Sequence, residues 1–337
     1  MLQSTMNTKP RILTGDRPTG KLHLGHYVGT LKNRVKLQHD YDCFFIVADL
    51  HTLTTAPTLE KTSNIKNNVR ELVLDYLSVG IDPNTCTIYR QSLVPEVTYL
   101  FTLFNMLVTV SRAQRIPSLK DVMKDSSIEN PSMGLLSYPI LQSADILMVK
   151  ANLVPVGRDQ ASHLEITREI AESFNKTYKQ DIFPLPETLI GDIGSLIGTD
   201  GQGKASKSKG NSIYLSEKPD DLEKKIKSMY TDPTRLKATD PGHIEGNTVF
   251  TYLDAFSTKT DQINEFKSRY TAGTVGDVEV KQFLLQELKI FLAPIQENRA
   301  FYESKPDLLE DIITSGSKKA QAEAQKTLHE CLLAMGL

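Results

Sequence analysis

The chain has 337 residues, enough for roughly two domains of about 150 residues each. Hydrophobic residues make up 39% of it and charged residues 24%, which excludes a disordered protein and allows a sizeable core. Lysine and arginine (39) nearly balance aspartate and glutamate (41), so any contact with a nucleic acid must come from local basic patches.

The first half of the sequence alternates short apolar runs with amphipathic segments. We predict strands at residues 11–14, 43–48, 86–89 and 153–156. The run 43–48 has no polar alternation, which is typical of a strand covered on both faces in a parallel sheet. Apolar residues recur every three or four positions between the runs, which predicts helices at residues 24–35, 69–77, 97–107 and 164–174. On the first helix, Arg34 falls largely outside the apolar stripe. This alternation indicates an α/β fold with a Rossmann-like doubly wound parallel sheet.

The composition changes after Phe183. Two prolines and five glycines fall within residues 184–203 and predict a linker, and a lysine-rich segment follows at 204–211. Beyond it the strand pattern stops, and the periodicity predicts helices at residues 219–230, 278–295 and 317–335. The sequence therefore predicts a second, mainly helical domain after the α/β domain.

Three cysteines, Cys43, Cys86 and Cys331, lie far apart in apolar surroundings. Their odd number argues against a disulfide framework and favours buried free thiols. No run approaches the ~20 apolar residues of a membrane span, and the N-terminus lacks the apolar core of a signal peptide. We therefore expect a cytoplasmic protein without a membrane partner.

The first chemically informative segment is residues 18–26, Pro-Thr-Gly-Lys-Leu-His-Leu-Gly-His. It joins a predicted strand to a predicted helix through a glycine-bearing turn, and such helix starts bind phosphates. The dinucleotide fingerprint G-x-G-x-x-G is absent. Instead His23 and His26 flank Gly25, and imidazoles at this spacing can donate hydrogen bonds to phosphate oxygens. The alternative is a helix cap beside a surface residue.

The second segment is residues 201–211, Gly-Gln-Gly-Lys-Ala-Ser-Lys-Ser-Lys-Gly-Asn. Its glycines predict mobility, and its lysines can clamp phosphates. It nearly matches a P-loop ending at Lys204, but Ala205 replaces the Ser or Thr that holds magnesium there. For this segment alone, a solvated charged loop is the alternative.

Together the two segments resemble the paired signatures of the class I aminoacyl-tRNA synthetases. Residues 23–26, His-Leu-Gly-His, are similar to the first signature, H-I-G-H. Residues 204–208, Lys-Ala-Ser-Lys-Ser, are similar to the second, K-M-S-K-S. The order of the two segments also matches the family. Ala205 departs from the usual methionine, and we expect altered loop packing there rather than lost catalysis.

A third segment narrows the resemblance to the tryptophanyl-tRNA synthetases, in their bacterial form. It comprises residues 134–145, which end in Asp145, and residues 154–160, Val-Pro-Val-Gly-Arg-Asp-Gln. The opening Thr-Gly-Asp-Arg-Pro-Thr-Gly at residues 14–20 fits the same family. Arg158 departs from the acidic or small residue expected at its position.

The resemblance implies two sets of substrate contacts. The catalytic residues would be Lys204, Lys207, His23 and His26. ATP would be bound by Asp16, Arg17, Thr19, Gly25, His26, Lys204, Ser206, Lys207 and Ser208. Tryptophan would give its indole N–H to Asp145 and its α-ammonium group to Tyr138 and Gln160. The same pocket would be lined by His51, Leu13, Gln142, Val154 and Val156.

The residues around Asp145 support its assignment. It lies between Ala144 and Ile146 in an apolar helical pattern, where a carboxylate needs a hydrogen-bond donor. An indole N–H is a donor only, and a pocket that leaves such an acceptor unpaired rejects phenylalanine strongly. The alternative is an ion pair between Asp145 and an arginine of the core.

The implied reaction joins L-tryptophan to AMP from ATP, releases pyrophosphate, and passes tryptophan to tRNA(Trp). The substrate carboxylate is the nucleophile, so the protein aligns the reactants and neutralises charge. Mg²⁺ would arrive with the nucleotide, and we expect no metal site of the protein's own. The family also implies a homodimer, and the apolar run 99–110 is a candidate for its interface.

The resemblance also implies a division of the chain into functional parts. The catalytic domain would span residues 9–199, and the mobile lysine loop residues 200–211. A helical anticodon-binding domain would span residues 212–300, and C-terminal helices at 301–337 would pack back on the catalytic domain. Lys224, Lys225 and Lys227 are candidates for a contact with the tRNA backbone, with an ordinary solvated helix face as the alternative. Arg112, Arg115 and Lys120 are candidates for contacts with ATP or tRNA.

Three other functions stay open. A tyrosyl-tRNA synthetase shares fold and mechanism, but its usual G-G-S-D-Q segment differs from V-G-R-D-Q here. A small nucleotidyltransferase shares H-x-G-H but typically has one domain. A non-catalytic synthetase-like paralogue that binds RNA or tryptophan would fold in the same way, although the intact histidines and lysines argue against it.

Overall fold

The computed structural model describes residues 9–55, 57–125, 128–156, 162–190, 194–235 and 237–337. In this part of the chain, five strands form a parallel sheet in the order β3-β2-β1-β4-β5. The strands are β1 (Arg11–Asp16), β2 (Asp42–Val47), β3 (Thr87–Arg90), β4 (Leu153–Val156) and β5 (Glu187–Ile190). The chain runs outward from β1 to one side and then to the other, which is the doubly wound arrangement that the sequence predicts.

Helices connect these strands and cover both faces of the sheet. They are α1 (Leu24–His26), α2 (Lys32–Leu37), α3 (Asp49–Thr52), α4 (Leu59–Thr62), α5 (Ile65–Ser78), α6 (Glu96–Asn105), α7 (Val110–Ala113), α8 (Pro117–Asp125), α9 (Met133–Met148) and α10 (Ser162–Tyr178). A π-helical stretch, Tyr27–Leu31, joins α1 to α2, and a 3₁₀ turn, Gln91–Leu93, directly follows β3. Such π-helical stretches are frequent at functional sites.

The apolar strands divide the core into two layers. Because successive side chains of a strand point to opposite faces, Phe45 and Val47 pack in one apolar cluster and Phe44 and Ile46 in the other. The second cluster lies under α6 and α9. The first continues into the helical part of the chain, so the two parts share one core.

The segment at residues 184–203 corrects the linker prediction. Its residues Glu187–Ile190 form β5, which pairs with β4 so that Thr188 lies beside Val154. The prolines and glycines that suggested a linker flank this strand. Unlike the predicted strands, β5 begins with two polar residues, Glu187 and Thr188, so it shows no apolar run and its flanking composition concealed it.

The helical part has five further helices in the described residues. They are α11 (Pro219–Lys227), α12 (Thr248–Phe256), α13 (Thr260–Thr271), α14 (Asp277–Glu303) and α15 (Pro306–Met335). The helices α12 and α13 were not predicted, and α14 is longer than its predicted span. Leu284 and Leu288 of α14 belong to the cluster that holds Ile12 of β1, so α14 helps to fix the helical part against the sheet.

The last helix covers the edge strand of the sheet. Ser317 Oγ accepts a hydrogen bond from the backbone N–H of Arg90 in β3 at 3.1 Å. A Cβ at Gly316 would lie 1.9 Å from the carbonyl oxygen of Ile88, so only glycine lets the two backbones approach this closely. α15 begins at Pro306 and not at the predicted residue 317, and it continues through Gly316 without a break.

The described cysteines Cys43, Cys86 and Cys331 are free and buried, as the sequence predicts. No helix in the described ranges has both the length and the apolar character needed to cross a membrane.

Candidate active site

The two signature segments lie side by side, beyond the carboxyl end of β1. Leu24 N donates to Ile213 O at 2.8 Å, and Leu215 N donates to Leu22 O at 3.1 Å. The chain that follows the lysine loop is therefore hydrogen-bonded to the histidine segment on both sides of His23. A Cβ built on Gly25 would lie 3.5 Å from Cβ of Ala205, so the two loops are in van der Waals contact.

The two histidines present the same ring nitrogen as a donor. His23 is the N-cap of α1, and its Nδ1 accepts a hydrogen bond from Gly25 N at 3.1 Å. His26 Nδ1 accepts from His23 N at 3.2 Å. Because each Nδ1 is an acceptor, each neutral ring carries its proton on Nε2. Burial lowers the pKa of His23 to about 3 and that of His26 to about 4, so both rings are neutral near pH 7. His23 can therefore cap α1 through Nδ1 and still donate a hydrogen bond to a ligand from Nε2.

Lys207 of the lysine loop reaches back over the first turn. Its Nζ lies 3.0 Å from Gly20 O and 3.2 Å from Thr19 Oγ1. Burial lowers the pKa of Lys207, although the carboxylates of Asp75 and Asp16 oppose this. Lys204 is exposed in the same loop, and the hydroxyl oxygens of Ser206 and Ser208 lie 3.0 Å apart.

Asp16 at the end of β1 is held by two side chains that sequence analysis missed. Arg34 Nη1 and the Tyr76 hydroxyl both donate to Asp16 Oδ2, the hydroxyl at 2.7 Å. Burial alone would raise the pKa of Asp16, but Arg34, Tyr76 and His26 together outweigh burial and keep the pKa below its usual range. Although Arg34 lies outside the apolar stripe of its helix, it is buried, and the ion pair makes this possible. Arg17 and Thr19 are exposed beside this network.

The pocket expected for tryptophan centres on Asp145 of α9, which is 2% exposed. His51 Nε2 lies 2.9 Å from Asp145 Oδ2. Gln91 Nε2 donates to both carboxylate oxygens of Asp145, at 2.9 Å each. Burial raises the pKa of Asp145, and the hydrogen bonds from His51 and Gln91 oppose it. The hydrogen bonds that the described residues make to Asp145 come from these two side chains and not from a core arginine.

The other residues expected in this pocket surround Asp145 to different degrees. Leu13 and Val154 are buried in the apolar cluster that holds Ala144, and Gln142 is half-buried on α9. The Tyr138 ring stands edge-on to His51, with ring centroids 6.5 Å apart.

The Tyr138 hydroxyl lies near Ser118 of α8, but neither forms a hydrogen bond of good geometry with a described residue. A buried hydroxyl in this condition is suited to a polar ligand. Gln160 and Arg158 lie outside the described residues, as does the side chain of Val156.

The basic groups considered for RNA or ATP contacts are largely engaged within the protein. Arg112 binds Glu169 of α10 through two hydrogen bonds of 2.8 and 2.7 Å. Lys225 donates to Glu217 at 2.6 Å. Lys224 and Lys227 pair with acidic residues of their own helix, whereas Arg115 and Lys120 are exposed. For the three lysines these contacts favour the alternative, an ordinary helix face.

The side chains missed from sequence differ in the signal they offered. Gln91 comes directly after β3, at the carboxyl end of a parallel strand, where open α/β sheets bind their ligands. That position alone makes it a candidate. Arg34 and Tyr76 lie on different helices and meet Asp16 only in the tertiary structure, so no local pattern reveals them.

The chain is similar to known proteins over nearly its whole length. The family model described as tRNA synthetases class I (W and Y) matches residues 5–293. Two curated proteins named tryptophan–tRNA ligase, from Chlamydia caviae and Treponema pallidum, are each 52% identical to the chain. These alignments cover 96% and 97% of the chain and 95% and 97% of those proteins.

Solved structures extend the comparison. The crystal structure of tryptophanyl-tRNA synthetase from Campylobacter jejuni, complexed with ADP and tryptophan, matches with a TM-score of 0.86 at 34% identity. That match covers 97% of this chain and 100% of the other. A tyrosyl-tRNA synthetase from Archaeoglobus fulgidus shares the fold, at 22% identity and a TM-score of 0.63. The chain therefore belongs to the family of class I tRNA synthetases for tryptophan and tyrosine.

Proposed function

We propose that the protein is a tryptophan–tRNA ligase, which forms tryptophanyl-adenylate and pyrophosphate from L-tryptophan and ATP and then transfers tryptophan to tRNA(Trp). The observation that carries the proposal is a buried Asp145 carboxylate with fixed donors, in a fold that also joins the two segments proposed to bind phosphate. Identity of 52% to tryptophan–tRNA ligases over nearly the whole chain favours tryptophan over tyrosine as the substrate.

In the activation step, the tryptophan carboxylate attacks the α-phosphorus of MgATP, and pyrophosphate leaves. His23 and His26 donate from Nε2 to phosphate oxygens, and neutral donors fixed by the backbone need little reorganisation. Lys204 and Lys207 neutralise the leaving pyrophosphate. The remaining proposed ATP contacts are Asp16, Arg17, Thr19, Gly25, Ser206 and Ser208. We propose that Mg²⁺ enters with the nucleotide.

The proposed amino-acid pocket binds tryptophan at both its indole N–H and its α-ammonium group. Asp145 accepts the indole N–H, and the Tyr138 hydroxyl accepts from the α-ammonium group together with Gln160. His51, Leu13, Gln142, Val154 and Val156 complete the walls. A ligand without an indole N–H would leave the buried Asp145 carboxylate short of one donor, so the pocket would reject phenylalanine.

We also propose a division of labour along the chain: a catalytic domain at residues 9–199, a mobile lysine loop at 200–211, an anticodon-binding domain at 212–300 and a C-terminal part at 301–337. The core that α14 shares with the sheet supports a direct mechanical link between the parts that bind tRNA and ATP. The cytoplasm is the compartment we propose, since three free buried thiols suit a reducing environment.

A homodimer is the proposed assembly. Tyr99, Met106 and Val110 are 48%, 73% and 58% exposed on α6 and just after it, and a cluster of large apolar side chains on a surface marks an interaction site. Met106→Glu should therefore shift the protein from dimer to monomer in light scattering, whereas Leu59→Glu, at an exposed apolar residue of α4 outside the run 99–110, should leave the mass unchanged. Equal masses for the parent and Met106→Glu would contradict this interface.

The function is tested by ATP–pyrophosphate exchange with each of the twenty amino acids in turn. We expect exchange with tryptophan alone. Exchange with tyrosine instead would mean that Asp145 binds the phenol hydroxyl of a tyrosine substrate. No exchange with any amino acid would favour the non-catalytic paralogue.

A further inference from the structure

Gln91 is hydrogen-bonded to Asp145 of the proposed tryptophan pocket and has no role in the function proposed above. It lies directly after β3 and is 0% exposed. Its side chain joins two elements: Oε1 accepts from Leu50 N of α3 at 3.1 Å, and Nε2 donates to Asp145 of α9. Because the amide is fully buried and hydrogen-bonded to both helices, its position is fixed.

The contact with Leu50 determines the orientation of the Gln91 amide, that is, which side its oxygen and its nitrogen face. A backbone N–H can only donate, so the atom facing Leu50 must be the amide oxygen. The NH₂ group is then obliged to face Asp145, and it lies 2.9 Å from both carboxylate oxygens. The orientation of the amide is therefore set by the backbone and does not depend on a bound ligand.

The Asp145 carboxylate can accept one further hydrogen bond. Oδ2 accepts from both His51 and Gln91, whereas Oδ1 accepts from Gln91 alone among the described residues. A carboxylate oxygen has two lone pairs, so Oδ1 keeps one acceptor direction. An indole N–H is a donor that can fill it.

We propose that Gln91 is a positioning residue for tryptophan selection: its amide, locked by Leu50 N–H, holds Asp145 as an ionised acceptor whose Oδ1 is reserved for the indole N–H. The inference rests on the proposed function. Without the amide, the buried carboxylate loses donors that offset its burial and can rotate or take up a proton. It would then discriminate poorly between a ligand with an N–H and one without.

The test compares Gln91→Met with the matched control Gln38→Met. Gln38 is also buried, and its amide binds Val35 O and Gly80 O at 2.9 and 3.0 Å, away from Asp145. Both variants lose a buried amide of equal size, so a general effect on folding appears in both. ATP–pyrophosphate exchange gives KM for tryptophan, KM for ATP and kcat.

For Gln91→Met we expect KM for tryptophan to rise about 10- to 100-fold, as for a lost hydrogen bond to a charged group, with KM for ATP unchanged. The preference for tryptophan over benzothienylalanine, in which sulfur replaces the indole N–H, should narrow. The chain contains no tryptophan, so the fluorescence anisotropy of the ligand gives its Kd directly. Gln38→Met should change none of these.

Gln91→Glu adds a readout that a purely structural role would not change. A carboxyl at this position must accept from Leu50 N and can donate to Asp145 only while it is protonated. The titratable group in contact with this position is Asp145 of α9, and the groups that in turn interact with Asp145 are His51 and Asp49 of α3 and Tyr89 of β3. We expect KM for tryptophan close to the parent value at low pH and a steep rise in KM as the new carboxyl ionises, which the parent should not show.

The outcomes separate the inference from the function on which it rests. Parent protein that exchanges with tryptophan, together with Gln91→Met that keeps the parent KM and selectivity, would overturn the role of Gln91 alone. Equal increases in KM for tryptophan and ATP would also overturn it, because they indicate a structural role. Parent protein without tryptophan-dependent exchange would overturn both.

Discussion

His23 combines two roles in one ring, and a pair of substitutions can separate them. Its Nδ1 caps α1 by accepting from Gly25 N, and its Nε2 is the proposed donor to phosphate. In His23→Asn the amide oxygen can keep the cap, but no donor reaches the Nε2 position. In His23→Ala both are lost.

We therefore expect both His23 variants to lose about 100-fold or more in activation rate, the usual effect of removing a transition-state donor. Only His23→Ala should also lose about 1 kcal/mol of unfolding free energy, the usual cost of removing a cap. Single-turnover adenylate formation and urea unfolding measure the two quantities. Full activity in His23→Asn would show that the ring is a cap only.

Lys207 is held by the first turn through Thr19 and Gly20. If it stabilises the leaving pyrophosphate, Lys207→Ala should lower the rate of adenylate formation by about 100-fold or more while ATP affinity changes much less. Lys209→Ala, an exposed lysine of the same loop, is the matched control. A Lys207→Ala variant as fast as the parent would remove Lys207 from the mechanism.

At the scale of elements, α15 depends on one close approach to β3. Gly316→Ala would place a Cβ 1.9 Å from Ile88 O, and the two backbones cannot both stay where they are. We expect a loss of about 1–3 kcal/mol in unfolding free energy, as for other overpacked contacts.

The control for Gly316→Ala is Gly134→Ala in the exposed first turn of α9, where the nearest atom to the new Cβ is 3.8 Å away. It should be neutral or slightly stabilising, since alanine favours the helix. Equal stability of the two variants in urea would mean that α15 does not need its contact with the edge strand.

At the scale of the whole molecule, a buried ion pair ties the helical part to the histidine segment. Arg299 of α14 donates to Asp75 of α5, and Asp75 Oδ2 accepts from Leu22 N at 2.6 Å, directly before His23. Burial raises the pKa of Asp75 to about 6, although Arg299 opposes this. The helical part thus supplies the positive charge that a carboxylate under the signature segment requires.

Removing one partner of a buried pair is costly, so Arg299→Met should lose about 3–5 kcal/mol of unfolding free energy. The loss relative to the parent should grow as pH rises above about 6. There Asp75 of the parent is already ionised beside Arg299, whereas removal of Arg299 raises the pKa of Asp75 further, so the unfolding free energy of the variant goes on falling with pH. In Arg299→Met/Asp75→Asn, the neutral amide needs no cation, and the loss should be smaller than in Arg299→Met. Strictly additive losses in a double-mutant cycle would contradict this coupling.

The amino-acid sequence by itself determined the fold class, the strands β1 to β4 and the two signature segments. These are properties of neighbouring residues: the apolar run of β2 shows a strand buried on both faces, and His23 and His26 belong to one short motif. Such patterns are visible in the sequence because the interactions that produce them act over a few neighbouring residues.

Only the tertiary structure decided which distant groups meet. It pairs β5 with β4, seats Gly316 against β3, buries Arg34 beside Asp16 and directs the Gln91 amide to Asp145. Burial and charge compensation select these contacts between residues far apart in the chain, and no local period records them. Gln91 is the instructive case, since its place after β3 is visible in the sequence, but its orientation depends on Leu50 and Asp145 together.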